Sequence, residues 1–314
     1  MAASTSVVST NGDIRLEVAN ANATDGNDGI YVRTINAGTA NLALALIASA
    51  SINDIAADTA VDVIANQLYM SAGTGIGSGS NVLETTIATM SAATGSGGLF
   101  VSETDGLILG STSISVNRIG TDGATPSSES NGVTTVSGTT TTSSSNGALI
   151  IDAADAVTVN QALSANGTGN IRLHTTTGTM AINAAVASGT GHITLLNDSG
   201  AITQDAVSIT TDGGTIDVEA TNATSGSITL VAGSTMVTDG TNTTGGNIRL
   251  KSGASMSITG INAGSADVSL ISGASILDIG ETNTDAIANQ LRIIATTGVS
   301  EASGTGIGLL VIKA

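Results

Sequence analysis

The fold is decided by residues 226–285, which form three consecutive stretches of equal length without a gap. The stretches begin at Gly226, Gly246 and Ala266 and read GSITLVAGSTMVTDGTNTTG, GNIRLKSGASMSITGINAGS and ADVSLISGASILDIGETNTD. Apolar residues and glycines recur at fixed places: Ile228/Ile248/Val268, Leu230/Leu250/Leu270, Gly233/Gly253/Gly273 and Gly240/Gly260/Gly280. A short fixed period punctuated by glycine is the signature of a solenoid.

The repeating unit has the pattern of β-strands. Each unit opens with two apolar residues separated by one other residue, which is the alternation of a half-buried strand. The same motif occurs at Ile171/Leu173, Ile193/Leu195, Ile216/Val218 and Leu291/Ile293, and a second short run follows at Met180/Ile182 and Met256/Ile258. There is no sustained helical stripe, and the leucine-rich repeat pattern is absent. The sequence therefore predicts an all-β fold, a single-stranded parallel β-helix (β-solenoid).

Length and composition set the expected dimensions and partners. At about 20–23 residues per coil the chain would make roughly 14–15 coils, a rod on the order of 70 Å long. The core must be aliphatic, since there is no Trp, one Phe and two Tyr among 314 residues. A net charge of −17 with only eight basic residues argues against nucleic acid or an anionic membrane surface as a partner. No apolar run approaches membrane-spanning length, so no membrane insertion is expected.

Residues 121–147 interrupt the pattern. They read TDGATPSSESNGVTTVSGTTTTSSSNG and contain the only proline, Pro126. This is low-complexity sequence, which solenoids accommodate in loops on one face. We therefore expect β-solenoid coils over 1–120, a Ser/Thr-rich excursion or irregular coils over 121–147, and coils again over 148–314.

A longer repeat is superimposed on the short one. Ile35-Asn-Ala-Gly38 recurs at residues 261–264, and Ile64-Ala-Asn-Gln-Leu68 recurs at residues 287–291. This pattern indicates that a block of coils was duplicated. Neither end shows the polar capping element that solenoids need, so we expect either head-to-tail fibre assembly or an excerpt of a longer repeat protein.

The Gly-x-Ile/Val-x-Leu/Val strand, the glycine turn and the short regular period resemble filamentous haemagglutinin-type repeats. Those repeats occur in large secreted bacterial adhesins, including autotransporter passengers. The resemblance covers nearly the whole chain except about 121–147. It implies a right-handed parallel β-helix, export and a location at the bacterial cell surface. The expected partners are other copies stacked end to end, flanking coils of a longer chain, and host or matrix glycans.

Acidic, glycine-rich turns are the candidate metal sites. They are Asp25-Gly-Asn-Asp28-Gly, Asp212-Gly-Gly and Asp239-Gly-Thr-Asn242. Calcium prefers carboxylate and carbonyl oxygens, which such turns supply. The calcium-binding nonapeptide and the EF-hand loop are absent, and Asp is an ordinary turn residue. Asp25, Asp28, Asp212 and Asp239 are therefore weak candidate calcium ligands, and no other cofactor is expected.

Clustered carboxylates are also the machinery of glycosidases, which place two of them about 5–10 Å apart across a sugar. The dense local candidates are Asp152/Asp155 and Asp54/Asp58/Asp62. Basic and aromatic groups that would grip a sugar are nearly missing, so we expect no enzyme. The two histidines, His174 and His192, fall at different positions of neighbouring coils and are expected to face solvent.

The sequence favours an extracellular structural or adhesive rod. The alternative is a carbohydrate- or calcium-binding surface module. A polysaccharide-active β-helix is less favoured because groups that would grip a sugar are nearly missing. An ice-binding surface is less favoured because threonine does not recur at one position through successive coils.

Overall fold

The computed structural model describes residues 6–18, 28–56, 58–116, 134–136, 139–141, 146–239, 245–279, 284–301 and 312–313. Every regular element in these residues is a β-strand. None of these residues belongs to a helix long and apolar enough to cross a membrane.

The N-terminal strands are β1 (Val7–Val8), β2 (Ile14–Val18), β3 (Ile30–Val32), β4 (Ile35–Ala48), β5 (Ile52–Asp54), β6 (Val63–Ala72), β7 (Gly75–Ile76), β8 (Leu83–Thr94), β9 (Gly98–Glu103), β10 (Leu107–Leu109), β11 (Thr112–Ile114), β12 (Thr134–Val136) and β13 (Thr139–Thr141). The C-terminal strands are β14 (Leu149–Ala153), β15 (Val157–Val159), β16 (Leu163–Ala165), β17 (Ile171–Thr175), β18 (Met180–Ile182), β19 (Val186–Ser188), β20 (Ile193–Asn197), β21 (Ile202–Gln204), β22 (Ser208–Thr210), β23 (Ile216–Ala220), β24 (Ile228–Leu230), β25 (Thr235–Val237), β26 (Ile248–Ser252), β27 (Met256–Ile258), β28 (Ile261–Asn262), β29 (Asp267–Ser272), β30 (Ser275–Asp278), β31 (Ala286–Ile287), β32 (Gln290–Ala295), β33 (Gly298–Glu301) and β34 (Ile312–Lys313).

The strands stack in parallel as a β-solenoid of about 10 turns, which confirms the predicted fold class. Successive strands such as β14, β15 and β16 belong to three different ladders along the axis. Ladder A consists of β3, β5, β7, β9, β14, β17, β20, β23, β26, β29 and β32. Ladder B consists of β10, β15, β18, β21, β24, β27, β30 and β33, and ladder C of β13, β16, β19, β22, β25, β28, β31 and β34. In the first turns the long strands β4, β6 and β8 come before ladders B and C in the stack. The last of them, β8, pairs with β10 of ladder B and with β13 of ladder C.

The core is one continuous aliphatic column inside the turns. In the ladder A strands β17, β20 and β23 the alternating residues are buried, as predicted, while the residue between them is half-buried. In β32 the predicted pair Leu291 and Ile293 is only half-buried. Ile171 lies over Ile193 and then Ile216, so like residues stack through successive turns. Met180 and Ile182 are buried in the same way in ladder B. Burial of each such side chain contributes about 1.5–3 kcal/mol.

A column of glycines, which we call the glycine spine, runs along the corner before ladder A. Its members share one feature: a Cβ on each would lie 1.8–2.3 Å from the carbonyl oxygen one turn earlier. They are Gly73, Gly95, Gly147, Gly169, Gly191, Gly214 and Gly246. At these positions only hydrogen fits between the stacked backbones. In the next turn the corresponding residue, directly before β29, is Ala266, so the spine ends at Gly246.

The three equal units of residues 226–285 do not all stack as their alignment predicts. Ile248 pairs with Val268 as expected. Ile228, however, lies in ladder B and pairs with Met256, whereas the residue stacked on Ile248 is Ile216. The first unit is therefore displaced by one side of the coil: its described residues form a ladder B strand, β24, and a ladder C strand, β25, whereas the second unit begins with the ladder A strand β26.

The number of turns is lower than the expected 14–15, at about 10. Several turns are longer than the repeat period, since Ile14 pairs with Leu44 and Leu99 pairs with Leu149. A surface loop lengthens a turn at small entropic cost, about 0.6 kcal/mol per doubling of its length. At about 4.8 Å per turn the stack is roughly 50 Å long.

The longer repeat corresponds to a repeated set of contacts. Asn36 pairs with Ile64, and its counterpart Asn262 pairs with Ile287. The Asn36 side chain accepts a hydrogen bond from the Gly38 amide at 2.8 Å, and Asn262 accepts one from Gly264 at 2.9 Å. The duplicated segments thus keep both their turn and their pairing with the next turn.

Part of the low-complexity segment lies within the described residues. β12 pairs in antiparallel fashion with β11 as a two-stranded sheet outside the ladders. β13 belongs to ladder C, between β8 and β16. The segment thus contributes both a strand outside the ladders and a strand within the solenoid.

Candidate functional site

The three candidate calcium ligands that lie within the described residues are not assembled into one site. Asp25 lies outside the described residues. Asp28 is half-buried before β3, Asp212 is exposed, and Asp239 is buried. Asp212 and Asp239 do occur at one corner of adjacent turns, where the Gly213 amide donates to the Thr238 carbonyl at 2.7 Å. Among the described residues none of them joins a group of three potential ligands.

The outer face of ladder A carries Asp152 and His174 in a chain of contacting polar side chains. Arg172 pairs with Asp152 across adjacent turns. The His174 ring lies between two aspartates, with Nδ1 3.2 Å from Asp152 Oδ1 and Nε2 3.0 Å from Asp198 Oδ2. Asp152 is thus engaged by a neighbouring turn. His174 is half-buried rather than fully exposed.

The remaining predicted residues of this region have structural contacts. His192 is exposed, as expected, and its Nδ1 accepts a hydrogen bond from the Thr215 amide at 3.0 Å. Asp155 accepts a hydrogen bond from the Thr177 hydroxyl at 3.2 Å. Both contacts join one turn to the next and so strengthen the stack.

A second charged group extends along the same face. Arg249 donates to both Asp217 oxygens, at 2.8 and 2.9 Å, and to Glu219 at 2.7 Å. Lys251 donates to Glu219 at 2.6 Å. Partial burial raises the pKa of Glu219, but the hydrogen bonds from Lys251 and Arg249 outweigh that effect and hold the pKa below its ordinary value. These half-exposed pairs also link adjacent turns.

A groove of about 420 Å³ lies beside this group, where Arg249 and Arg292 line the start of the last ladder A strands. Arg249 already pairs with two carboxylates, and Asp267 also lines the groove. The positive charge available to an anionic ligand is therefore small.

The strongest candidate site is a buried acidic cluster formed by Asp54, Asp62 and Glu84. One carboxylate oxygen from each residue lies within 4.8 Å of the other two. Their exposed fractions are only 4%, 2% and 7%. Carboxylates are rarely buried this completely without a partner, so the cluster requires a chemical explanation.

The backbone of the solenoid brings the cluster together. Asp54 ends β5, Asp62 directly precedes β6, and Glu84 is the second residue of β8. The Asp62 amide donates to the Glu84 carbonyl at 2.9 Å, and the Glu84 amide donates to Asp62 Oδ2 at 3.3 Å. Two carboxylates thus come from one turn and the third from the next.

Two oxygens of the cluster lack a hydrogen-bond donor. Asp54 Oδ1 accepts from the Ala56 amide at 2.7 Å. Asp54 Oδ2 and Glu84 Oε2 are buried and accept no hydrogen bond from any described residue. Nor does any described basic side chain form an ion pair with Asp54, Asp62 or Glu84. The local negative charge is therefore uncompensated within the described part of the chain.

Burial and mutual repulsion change the acidity of the cluster. Burial raises the pKa of the Asp62 carboxyl to about 8, and the charge of Asp54 adds to the shift. Burial likewise raises the pKa of Glu84, although a hydrogen bond with the Asp62 carboxyl opposes the shift; the charges of Asp54 and Asp58 add to it. Asp58 itself is exposed, so of the Asp54/Asp58/Asp62 trio only the first and last belong to the cluster.

A separate buried carboxylate, Glu103, is well satisfied. It accepts hydrogen bonds from the Thr85 hydroxyl at 2.6 Å, the Ile87 amide at 3.1 Å and the Thr104 amide at 3.0 Å. Burial raises its pKa to about 8, although the hydrogen bonds from Thr85 and Ile87 oppose the shift. Because its oxygens are occupied, Glu103 is a structural residue.

Sequence reasoning missed Glu84. The length of the repeat could have indicated this residue, since Glu84 lies 22 residues after Asp62, which is one turn of the coil. Searching for carboxylates close in sequence finds Asp54 and Asp62 but cannot find a partner contributed by the next turn.

Comparison with known proteins gives no further guide to this site. A scan of protein-family models, a search of curated proteins and a search of solved structures each found no match to the chain.

Proposed function

We propose that the chain is a stiff structural rod of an extracellular, adhesin-like repeat protein. The observation that carries this proposal is ladder A, which continues without interruption from β3 to β32. Its main-chain hydrogen bonds are aligned with the solenoid axis, so extension of the rod must break them. A structure of this kind is suited to separating two points or to displaying a long surface.

The side chains support the same role. The aliphatic core is continuous along the stack. On the outer face, ion pairs such as Arg172–Asp152 and Arg249–Asp217 join successive turns. Each exposed pair contributes little, about 0–1 kcal/mol. Their common direction nevertheless resists bending and sliding of neighbouring turns.

The rod is extended, in this proposal, by stacking of further turns on the free edge of β32, which pairs only with β29 among the described strands. Those turns belong either to a second copy or to a longer chain. Addition of a strand to an open sheet edge is the geometry of β-augmentation. Exposed apolar residues in this last region, Ile294 and Val299, favour such a contact.

Electron microscopy of the purified chain at several concentrations tests the proposal. Filaments that lengthen with concentration would show that copies stack. Isolated rods of roughly 50 Å would instead support a stalk segment that is continued by further turns of its own chain. Compact or flexible particles would refute the rod. Binding of the particles to glycan arrays tests the adhesive part of the proposal separately.

A further inference from the structure

We propose that Asp54, Asp62 and Glu84 bind a calcium ion that joins two successive turns of the solenoid. This inference does not rest on the proposed function, because it concerns a local site formed by three particular side chains of adjacent turns.

The geometry fits a single ion. Calcium lies about 2.3–2.6 Å from each oxygen ligand, so two ligands of one ion are at most about 5 Å apart. The three carboxylate oxygens meet this limit, since all lie within 4.8 Å of one another. One oxygen from each side chain meets the other two, so the cluster supplies three carboxylate ligands of the six to eight that calcium takes.

The unsatisfied oxygens indicate a missing positive partner. Asp54 Oδ2 and Glu84 Oε2 are buried without a hydrogen bond from the described residues. A buried polar atom of this kind destabilises a protein unless something occupies it. Protonation of one carboxyl would remove only part of the negative charge, whereas a divalent cation satisfies several oxygens at once.

Calcium fits better than magnesium for a structural reason. Magnesium keeps several water molecules and requires near-ideal octahedral geometry. The ligands here are at most 7% exposed, which leaves little access for a retained water shell. Carboxylates from different backbone segments form the irregular, multidentate arrangement that calcium tolerates.

The duplicated segment supplies an internal comparison. Asp278 ends β30 and Asp285 directly precedes β31, as Asp54 ends β5 and Asp62 precedes β6. Both are buried, with exposed fractions of 2% and 1%. The Ile261 amide donates to the Asp285 carbonyl at 2.9 Å, as the Ile35 amide does to Asp62 at 2.7 Å.

The third ligand differs between the two copies. Val63 pairs with Thr85, and the residue before Thr85 is Glu84. In the second copy Ala286 pairs with Ile312, and the residue before Ile312 in the sequence is Val311. The second copy therefore retains the aspartate pair but not the glutamate. Glu84 is what distinguishes a calcium site from a buried pair of aspartates.

Calorimetric titration of the full chain with calcium chloride tests the proposal, in physiological salt so that non-specific binding to the acidic surface is screened. The wild-type chain should bind about one calcium ion at this site. Glu84→Gln, which keeps the side-chain shape, should weaken that binding at least tenfold; loss of a group that merely orients a metal ligand already costs about 10–100-fold. Asp285→Asn is the matched control in the second copy and should bind calcium like the wild type.

Thermal unfolding separates a lost ligand from a damaged fold. Calcium should raise the melting temperature of the wild type and of Asp285→Asn. Glu84→Gln should melt higher than the wild type without calcium, because one buried charge is gone, and should not respond to calcium. The proposal is overturned if the wild type binds no calcium at millimolar concentration, if Glu84→Gln binds as well as the wild type, or if magnesium binds as tightly as calcium.

Discussion

The glycine spine makes a quantitative prediction at Gly191. An alanine Cβ there would lie 2.2 Å from the Gly169 carbonyl oxygen and 2.6 Å from its carbon. An ordinary contact needs about 3.2 Å or more, so the two turns would have to separate locally by about 1 Å. That movement strains the hydrogen bond from Thr190 to the Gly167 carbonyl, now 2.7 Å, and the one from the Ser188 hydroxyl to Gly169, now 2.8 Å.

The expected loss of stability follows from these contacts. Overpacking costs about 1–3 kcal/mol, and each weakened hydrogen bond about 0.5–1.5 kcal/mol. We therefore expect Gly191→Ala to lower the free energy of unfolding by about 2–6 kcal/mol. The control is Gly79→Ala, where the nearest atom to a new Cβ is Phe100 Cε1 at 3.7 Å. This change should be neutral or stabilise by up to about 1 kcal/mol through the unfolded state.

Urea unfolding and hydrogen exchange together measure the effect. Repeat proteins unfold in parts, so exchange at each turn is needed beside the global transition. Gly191→Ala should speed exchange in β17 and β20, the ladder A strands that follow the two glycines. An unfolding free energy within about 0.5 kcal/mol of the wild type, with unchanged exchange in these strands, would refute the steric account of the spine.

Three further outcomes are expected. The pKa values of Asp62 and Glu103 are both raised to about 8. The stability contributed by their protonated forms is therefore complete below about pH 4 and is lost as the pH rises through 8. The melting temperature in calcium-free buffer should fall over this range, and a rise would contradict the assignment. Ile248→Asp places a charge in the core and should lower the free energy of unfolding by more than about 4 kcal/mol. Its control, Ser257→Asp on the half-buried outer side of ladder B, should change that free energy by less than about 1 kcal/mol. Equal melting curves for the two variants would be inconsistent with the observed burial. Arg249→Met should cost about 1 kcal/mol or less, and that cost should shrink in high salt, as salt-dependent urea unfolding can show.

The acidic cluster shows where sequence reasoning stops. Asp54 and Asp62 are close in sequence, and their spacing alone indicates a carboxylate pair. From the sequence, that pair is a candidate for glycosidase chemistry rather than for metal binding. Asp58, between them, is exposed. Glu84 joins them only because one turn of the coil superposes residues 22 apart. A partner from the next turn cannot be identified until the length of that particular turn is known.

The sequence by itself determined the class of fold. Alternation of apolar residues dictates strands with one inward face, and a short glycine-punctuated period allows few folds other than a stack of such strands. The tertiary structure decided which unit lies on which. Corner loops lengthen a turn at little cost, so Ile248 stacks on Val268 at the repeat period, whereas Ile216 stacks on Ile248 across a longer turn. Burial, and with it the acidic cluster, depends on that stacking, because a side chain in a solenoid is enclosed by the turns above and below it rather than by its sequence neighbours.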